Sequence, residues 1–106
     1  MTINSINPKT LQSWLQNQQA ILIDVREVFE NKAARIKAAT LIPLATININ
    51  NLPELADKKL VIHCKSGVRS FNACRLLLAQ NPNLEIYNLE GGIESWIAAG
   101  CEIQTN

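Results

Sequence analysis

Leu60-Val61-Ile62-His63-Cys64-Lys65-Ser66-Gly67-Val68-Arg69-Ser70 decides the reading of this chain. Leu60 to His63 reads as a buried strand. A helical run, Ser70-Phe71-Asn72-Ala73-Cys74-Arg75-Leu76-Leu77-Leu78, follows at once. Cys64 therefore falls between a strand end and a helix start. Backbone N–H groups there lack intrahelical partners, and the helix dipole is positive. Such a place stabilises a thiolate and any anion held beside it. A free thiol titrates near about 8.5, and helix N-termini or nearby cations lower it to roughly 3.5–7.5. Lys65 and Arg69 add positive charge, so a thiolate at neutral pH is expected without a histidine base. Gly67 lets the backbone curl inward without a Cβ clash.

The spacing narrows the chemistry. A Cys-x5-Arg loop surrounds a tetrahedral group with three outer oxygens, whereas Cys64 and Arg69 form the shorter Cys-x4-Arg. The tighter ring of N–H groups, from Lys65 to Ser70, suits a single extra atom on the cysteine, such as the outer sulfur of a persulfide. The plain alternative is a strand–helix turn that happens to bury a cysteine.

Outward from this stretch, strands and helices alternate. Asn7-Pro8 reads as an N-cap and first helical position, and Leu11, Trp14 and Leu15 follow at i, i+3, i+4. Ala20-Ile21-Leu22-Ile23-Asp24-Val25 is short, apolar and β-branched, which predicts a strand buried on both faces of a parallel sheet. A short helix is expected over Glu27 to Ala34, and a strand over Thr40-Leu41-Ile42, stopped by Pro43. Another helical turn or two is expected from Pro53 to Asp57. The helix from Ser70 to about Gln80 places Phe71, Cys74, Leu77 and Leu78 on one stripe and ends at Asn81-Pro82-Asn83. Glu85 to Leu89 reads as a strand. Gly91-Gly92 turns the chain, close to the rim of the Cys64 loop. Ile93, Trp96 and Ile97 then mark a last core-facing helix ending at Gly100. This alternation predicts right-handed crossovers and a mainly parallel sheet with helices on both faces. The fold class is a single three-layer α/β/α domain over residues 1–106. Ligands bind beyond the carboxyl ends of such strands, where Cys64 falls.

Composition agrees. The 106 residues are 47% hydrophobic and 18% charged, which is neither a disordered nor a membrane composition. The formal net charge of +1 gives no field favouring nucleic acid. No run approaches membrane-spanning length, and no signal-peptide pattern opens the chain, so a cytoplasmic location is the expectation. Oligomeric state has no signature in the sequence.

Three cysteines, Cys64, Cys74 and Cys101, make a poor disulfide framework. The single histidine adjoins Cys64, so a metal site is not expected. His63 precedes the cysteine on a strand, so its side chain should point to the opposite face and pack. Cys74 falls on an apolar stripe and reads as an inert core thiol. Cys101, near the C-terminus, is expected to be exposed and leaves open a resolving role in a redox sensor.

Taken in order, four landmarks resemble the rhodanese family of thiosulfate and related sulfurtransferases, from about Leu11 to Gly100. They are Asp24-Val25-Arg26-Glu27; Phe29-Glu30 with Ile36, Ala39 and Ile42-Pro43-Leu44; Cys64 to Ser70; and Gly91-Gly92 with Trp96. The chain departs from the family at Ala34-Arg35-Ile36, where Gly-His-Ile is usual, at Ala38, and at Cys101-Glu102, where a proline often follows. The resemblance implies a sheet of about five strands and a Cys64 nucleophile that carries a persulfide. It implies substrate contacts from Lys65, Ser66, Gly67, Val68, Arg69 and Ser70, with Asp24 and Arg26 supporting the loop from behind. Arg69 is expected to act mostly by holding the loop, and Lys65 either attracts an anionic donor or is simply solvated. The implied partners are a small anionic sulfur donor and a thiophilic acceptor (cyanide, a thiol or a protein), with no metal or organic cofactor, nucleic acid or membrane. Alternatives on the same resemblance are a persulfide carrier or interaction module and a phosphatase or arsenate reductase.

Overall fold

The computed structural model describes residues 2–105. Its elements run β1 (Asn4–Ile6), α1 (Pro8–Gln16), β2 (Ala20–Asp24), α2 (Val28–Ala33), β3 (Ala34–Arg35), β4 (Ala39–Leu41), β5 (Lys59–His63), α3 (Val68–Gln80), β6 (Ile86–Leu89), α4 (Gly92–Ala98) and β7 (Gln104–Thr105). Five strands form one parallel sheet in the order β1-β6-β5-β2-β4. The two-residue β3 and β7 pair antiparallel beside it. The fold is the α/β class expected, with the Cys64 strand at the centre of the sheet.

Alternation along β5 builds two cores. Leu60, Ile62 and Cys64 face one side with Ile23, Ile86 and the α3 residues Ala73, Cys74 and Leu77. Val61 faces the other with Leu22 and Leu89, together with Leu11 of α1 and Ile93 and Trp96 of α4. Both β5 and β2 are buried on both faces, which is why their sequences are nearly continuous apolar runs. Helix α1 starts as its sequence dictates: Asn7 Oδ1 accepts from Thr10 N at 2.8 Å, with Pro8 at the first turn. Losing that cap would cost about 1 kcal/mol.

Four expectations are corrected. Pro53 to Asp57 is not helical: Ala56 and Asp57 take positive φ of 51° and 65°. The turn lies earlier, as a 3-10 segment over Ile49–Asn51 capped by Asn48, because Pro53 keeps Leu52 extended. Phe71 is 45% exposed, since α3 buries Ser70, Ala73, Cys74, Leu77 and Leu78. Ile97 is 47% exposed, while Ile93 and Trp96 carry the core face of α4. Cys101 is buried, 6% exposed, in the core beneath α1 and α4. β1 and β7 lie outside the elements expected, and β3 takes Ala34, expected as the end of the preceding helix, together with Arg35.

Candidate active site

The site grows from the end of β5. Cys64 is 1% exposed, and the chain turns beside it through Gly67, whose φ of +108° a side chain would strain. That turn aims the Gly67 N–H at Cys64 Sγ, 3.1 Å away. The first turn of α3 brings the Ser70 hydroxyl to 3.3 Å from the same sulfur. Burial pushes the Cys64 thiol up. The Ser70 hydroxyl and the N–H groups of Ser70, Gly67 and Ser66 outweigh it and hold the thiol below its ordinary value.

Helix α4 fixes the outer side of the loop. Ile93 N donates to Cys64 O at 2.9 Å, and Glu94 N donates to Lys65 O at 3.2 Å. With these carbonyls drawn away, the loop N–H groups are left to face the sulfur. The approach requires glycine: a Cβ on Gly92 would stand 2.4 Å from Lys65 O and 2.6 Å from Cys64 O. The expected closeness of Gly91-Gly92 to the rim is therefore a direct seal.

Arg69 makes no hydrogen bond to the sulfur among the described residues. Its guanidinium grips Glu30 with two hydrogen bonds, Nη1 to Oε1 at 2.7 Å and Nη2 to Oε2 at 3.0 Å. Glu30 also accepts from Glu27 N at 2.9 Å, closing the capping box of α2. The Arg69 bond holds the Glu30 carboxyl down at about 2, and Glu30 in turn raises Arg69. Arg69 thus ties α3 to α2, the structural share of the role expected for it. Lys65, Ser66 and Val68 are exposed, whereas Ser70 is buried.

Asp24 lies one strand over, level with His63 in the β2–β5 register. It accepts from Arg26 N at 3.0 Å, Arg26 Nη2 at 2.8 Å and Asn31 Nδ2 at 3.1 Å. Arg26 Nη2 also donates to Ala34 O at 2.7 Å. Burial raises the Asp24 carboxyl, but hydrogen bonds led by those from Arg26 hold it below the usual range. The pair braces β2 against α2 and β3, with no hydrogen bond to the Cys64 loop among the described residues. His63 is fully buried on the opposite face from Cys64. Its Nδ1 lies 3.1 Å from Cys64 O, and its Nε2 lies 3.8 Å from Asp24 Oδ1. Burial holds the ring below its ordinary value, which favours neutral imidazole.

A groove of ≈ 510 Å³ opens beside Lys65, walled by Phe29, Ala33, Ala34, Ile93 and Ile97. Cys74 shares a core with Cys64 but lacks its N–H ring, and burial raises its thiol to about 12. Cys101 sits in the other core, on the far face of the sheet. Among the described residues no three His, Cys, Asp or Glu side chains gather for a metal ion, and no helix is long and apolar enough to cross a membrane.

Three site residues escaped the sequence reading. Asn88 joins Ser70 to Gly67, Glu30 holds Arg69, and Asn31 holds Asp24. A polar residue inside the short strand Ile86-Tyr87-Asn88-Leu89 was the available signal for the first. Glu30 stands three residues after Glu27, the spacing of a capping box.

The fold and site define a class: a parallel α/β domain that seats a thiol in a ring of N–H groups at the end of its central strand. Residues 7–99 match the model of the rhodanese-like domain, and the chain belongs to that family. It is 40% identical over 97 residues to an uncharacterized protein of Synechocystis sp., covering 91% of this chain and 53% of that one. The chain therefore spans about half the length of that relative. It is 32% identical over 102 residues to a sulfurtransferase of Allochromatium vinosum, covering 95% of this chain and 94% of that one. The crystal structure of a rhodanese-related protein from Thermoplasma volcanium superposes with a TM-score of 0.82 at 31% identity, over 97% of this chain and 99% of that one.

Proposed function

We propose that this chain is a sulfurtransferase that carries sulfur on Cys64, with residues 1–106 forming a single domain. The observation that carries the reading is the inward ring at Cys64 Sγ, with Gly67 N at 3.1 Å and the thiol held below its ordinary value. Kinship with proteins named sulfurtransferases supports it. The Cys64 thiolate attacks the outer sulfur of thiosulfate or a related anionic donor. A new S–S bond forms at Sγ, the donor's S–S bond breaks, and sulfite leaves with the bonding pair. The outer sulfur now bears the negative charge and sits where the loop N–H groups from Lys65 to Ser70 converge, an oxyanion-hole arrangement applied to sulfur. A thiophilic acceptor then attacks that atom and releases the Cys64 thiolate. Two half-reactions through a covalent intermediate predict ping-pong kinetics. Lys65, exposed at the groove mouth, attracts the anion, and Asp24 with Arg26 steadies the strand end behind the loop.

A second reading, a persulfide carrier served by protein partners, draws on the apolar side chains left exposed around the loop. Phe29 is 72% exposed and Val68 68%. A carrier would load from a protein persulfide and turn over thiosulfate poorly. The Cys-x4-Arg spacing stands against a phosphatase or arsenate reductase. Turnover of an aryl phosphate, lost in Cys64→Ser, would reverse that judgement.

The test is the intact mass of the reduced protein after thiosulfate, beside Cys64→Ser. The reading expects one added sulfur atom in the wild type alone, removed by cyanide. A wild type that stays unloaded by both thiosulfate and protein persulfides sinks it.

A further inference from the structure

Cys64, Ser70, Asn88 and Gly67 form a closed ring of hydrogen bonds. Gly67 N donates to Cys64 Sγ at 3.1 Å, and Sγ faces Ser70 Oγ at 3.3 Å. Ser70 Oγ donates to Asn88 Oδ1 at 2.5 Å, and Asn88 Nδ2 donates to Gly67 O at 3.1 Å. The last bond fixes the amide: a carbonyl only accepts, so the Asn88 NH2 faces Gly67 and its oxygen faces Ser70. Ser70 has one hydroxyl proton. In the thiol state every group is satisfied, because Cys64 S–H donates to Ser70 Oγ and Ser70 donates to Asn88. In the thiolate state two acceptors face one proton. Ser70 and Asn88 are 0% and 8% exposed, so bulk water is a poor replacement donor.

We propose that Asn88 is a positioning residue for Cys64: it competes with the thiolate for the single Ser70 proton, while its NH2 group pins the loop at Gly67. When Cys64 ionises, its proton passes to solvent and the Ser70 hydroxyl turns to the sulfur. Asn88 Oδ1 is then left buried without a donor, a cost that opposes ionisation. Once Sγ is bonded to a second sulfur the charge lies on the outer atom, and the Ser70 proton returns to Asn88. The ring therefore restrains the free thiolate and suits the loaded cysteine. This inference rests on Cys64 being the reactive thiol of the proposed function.

Other groups surround the cysteine: Arg69 and Cys74 on α3, His63 with Asp24 and Arg26 behind it, Lys65 in the loop, Glu30 on Arg69, and Glu94 at the start of α4. None of them hydrogen-bonds Sγ among the described residues. The Ser70–Asn88 competition is thus separable from the field of these charges.

The experiment is the pH profile of Cys64 alkylation by iodoacetamide, read by mass, in wild type, Asn88→Leu, Ser70→Ala and the double variant. Asn88→Leu frees the proton for sulfur and should lower the midpoint by roughly half a unit to one unit, one hydrogen bond's worth. In the Ser70→Ala background the contested proton is gone, and adding Asn88→Leu should no longer lower the midpoint; any shift left there comes from loss of the Gly67 pin and runs upward. A raised or unchanged midpoint in Asn88→Leu, or the same fall in both backgrounds, overturns the proposal. A second measurement needs no Asn88 variant: the 13C shift of the Asn88 side-chain carbonyl should follow the Cys64 titration in wild type and stay flat in Ser70→Ala. A carbonyl that is flat in wild type also overturns it. Alkylation requires no sulfur donor, so failure to load thiosulfate would count against the proposed function and leave this result standing.

Discussion

Cys64 and Cys74 lie in the same hydrophobic core, one at a strand–helix turn and the other inside α3, with exposures of 1% and 0%. Their thiols nevertheless move in opposite directions, Cys64 below its ordinary value and Cys74 up to about 12. Burial raises both, so burial is not what separates them. Within α3 the N–H groups are spent on carbonyls four residues back. At the turn they have no such partners, and Gly67 aims one at sulfur. The difference follows from where donors are placed, the Ser70 hydroxyl and the unpaired backbone N–H groups, more than from the charges nearby, because Arg69 is committed to Glu30.

The strongest test of that contrast replaces each cysteine in turn. Cys64→Ser should lower sulfur transfer by at least about 10³-fold, as loss of a nucleophile does. Cys74→Ala should leave the rate within about twofold and cost about 1–2 kcal/mol of stability by emptying part of a packed core. Steady-state kinetics and urea unfolding of both variants check this. If Cys74→Ala abolished transfer while still folded, the two thiols would be functionally linked and the contrast would fail.

Gly92 offers a way to erase the difference without touching either cysteine. Its Cβ would meet the carbonyls of Lys65 and Cys64 at 2.4 Å and 2.6 Å, and its φ of +62° disfavours any side chain. Gly92→Ala should push the loop off α4, destabilise the fold by about 2–4 kcal/mol, and raise the Cys64 alkylation midpoint toward that of an ordinary buried thiol. Alkylation against pH, with thermal unfolding in parallel, reads both effects. An unmoved midpoint in the folded variant would show that α4 does not hold the N–H ring inward.

The same logic explains what the sequence made legible. β2 and β5 are apolar on both faces, which only a doubly covered sheet accommodates, and the Cys64 turn follows from a strand run meeting a helix run. β1 was illegible because it is three residues long, buries only Ile6, and exists through pairing with β6, more than eighty residues away in the chain. The stripe on α3 was misaligned because residue type favoured Phe71, whereas packing follows Ser70, Ala73, Cys74 and Leu77. Cys101 was read as exposed from its place near the chain end, yet the chain folds back over Trp96, whose Nε1 donates to Glu102 O at 2.8 Å. The loop could be read because its donors are backbone. Asn88 and Glu30 carry only local signals that do not name their partners, because Ser70 and Arg69 come from distant segments.

The Arg69–Glu30 pair sharpens the comparison at its weakest point, the share that charge contributes. Glu30 has a folded value of about 2 against 4.5 for the free side chain. A depressed carboxyl stabilises the fold above its unfolded value, and that contribution fades as pH falls from 4.5 toward about 2. The pair is partly exposed, with side chains 34% and 17% accessible. Solvent screening therefore limits its worth to about 1 kcal/mol. Glu30→Gln should lose that amount near neutral pH and show a flatter decline in stability between pH 4.5 and 2 than wild type. Urea unfolding across that range checks the slope. The variant also frees Arg69 to swing toward the loop, so its Cys64 midpoint measures the guanidinium's effect directly. A shift much smaller than that of Gly92→Ala leaves the backbone ring as the cause of the contrast between the two thiols, whereas an equal or larger shift transfers that cause to charge.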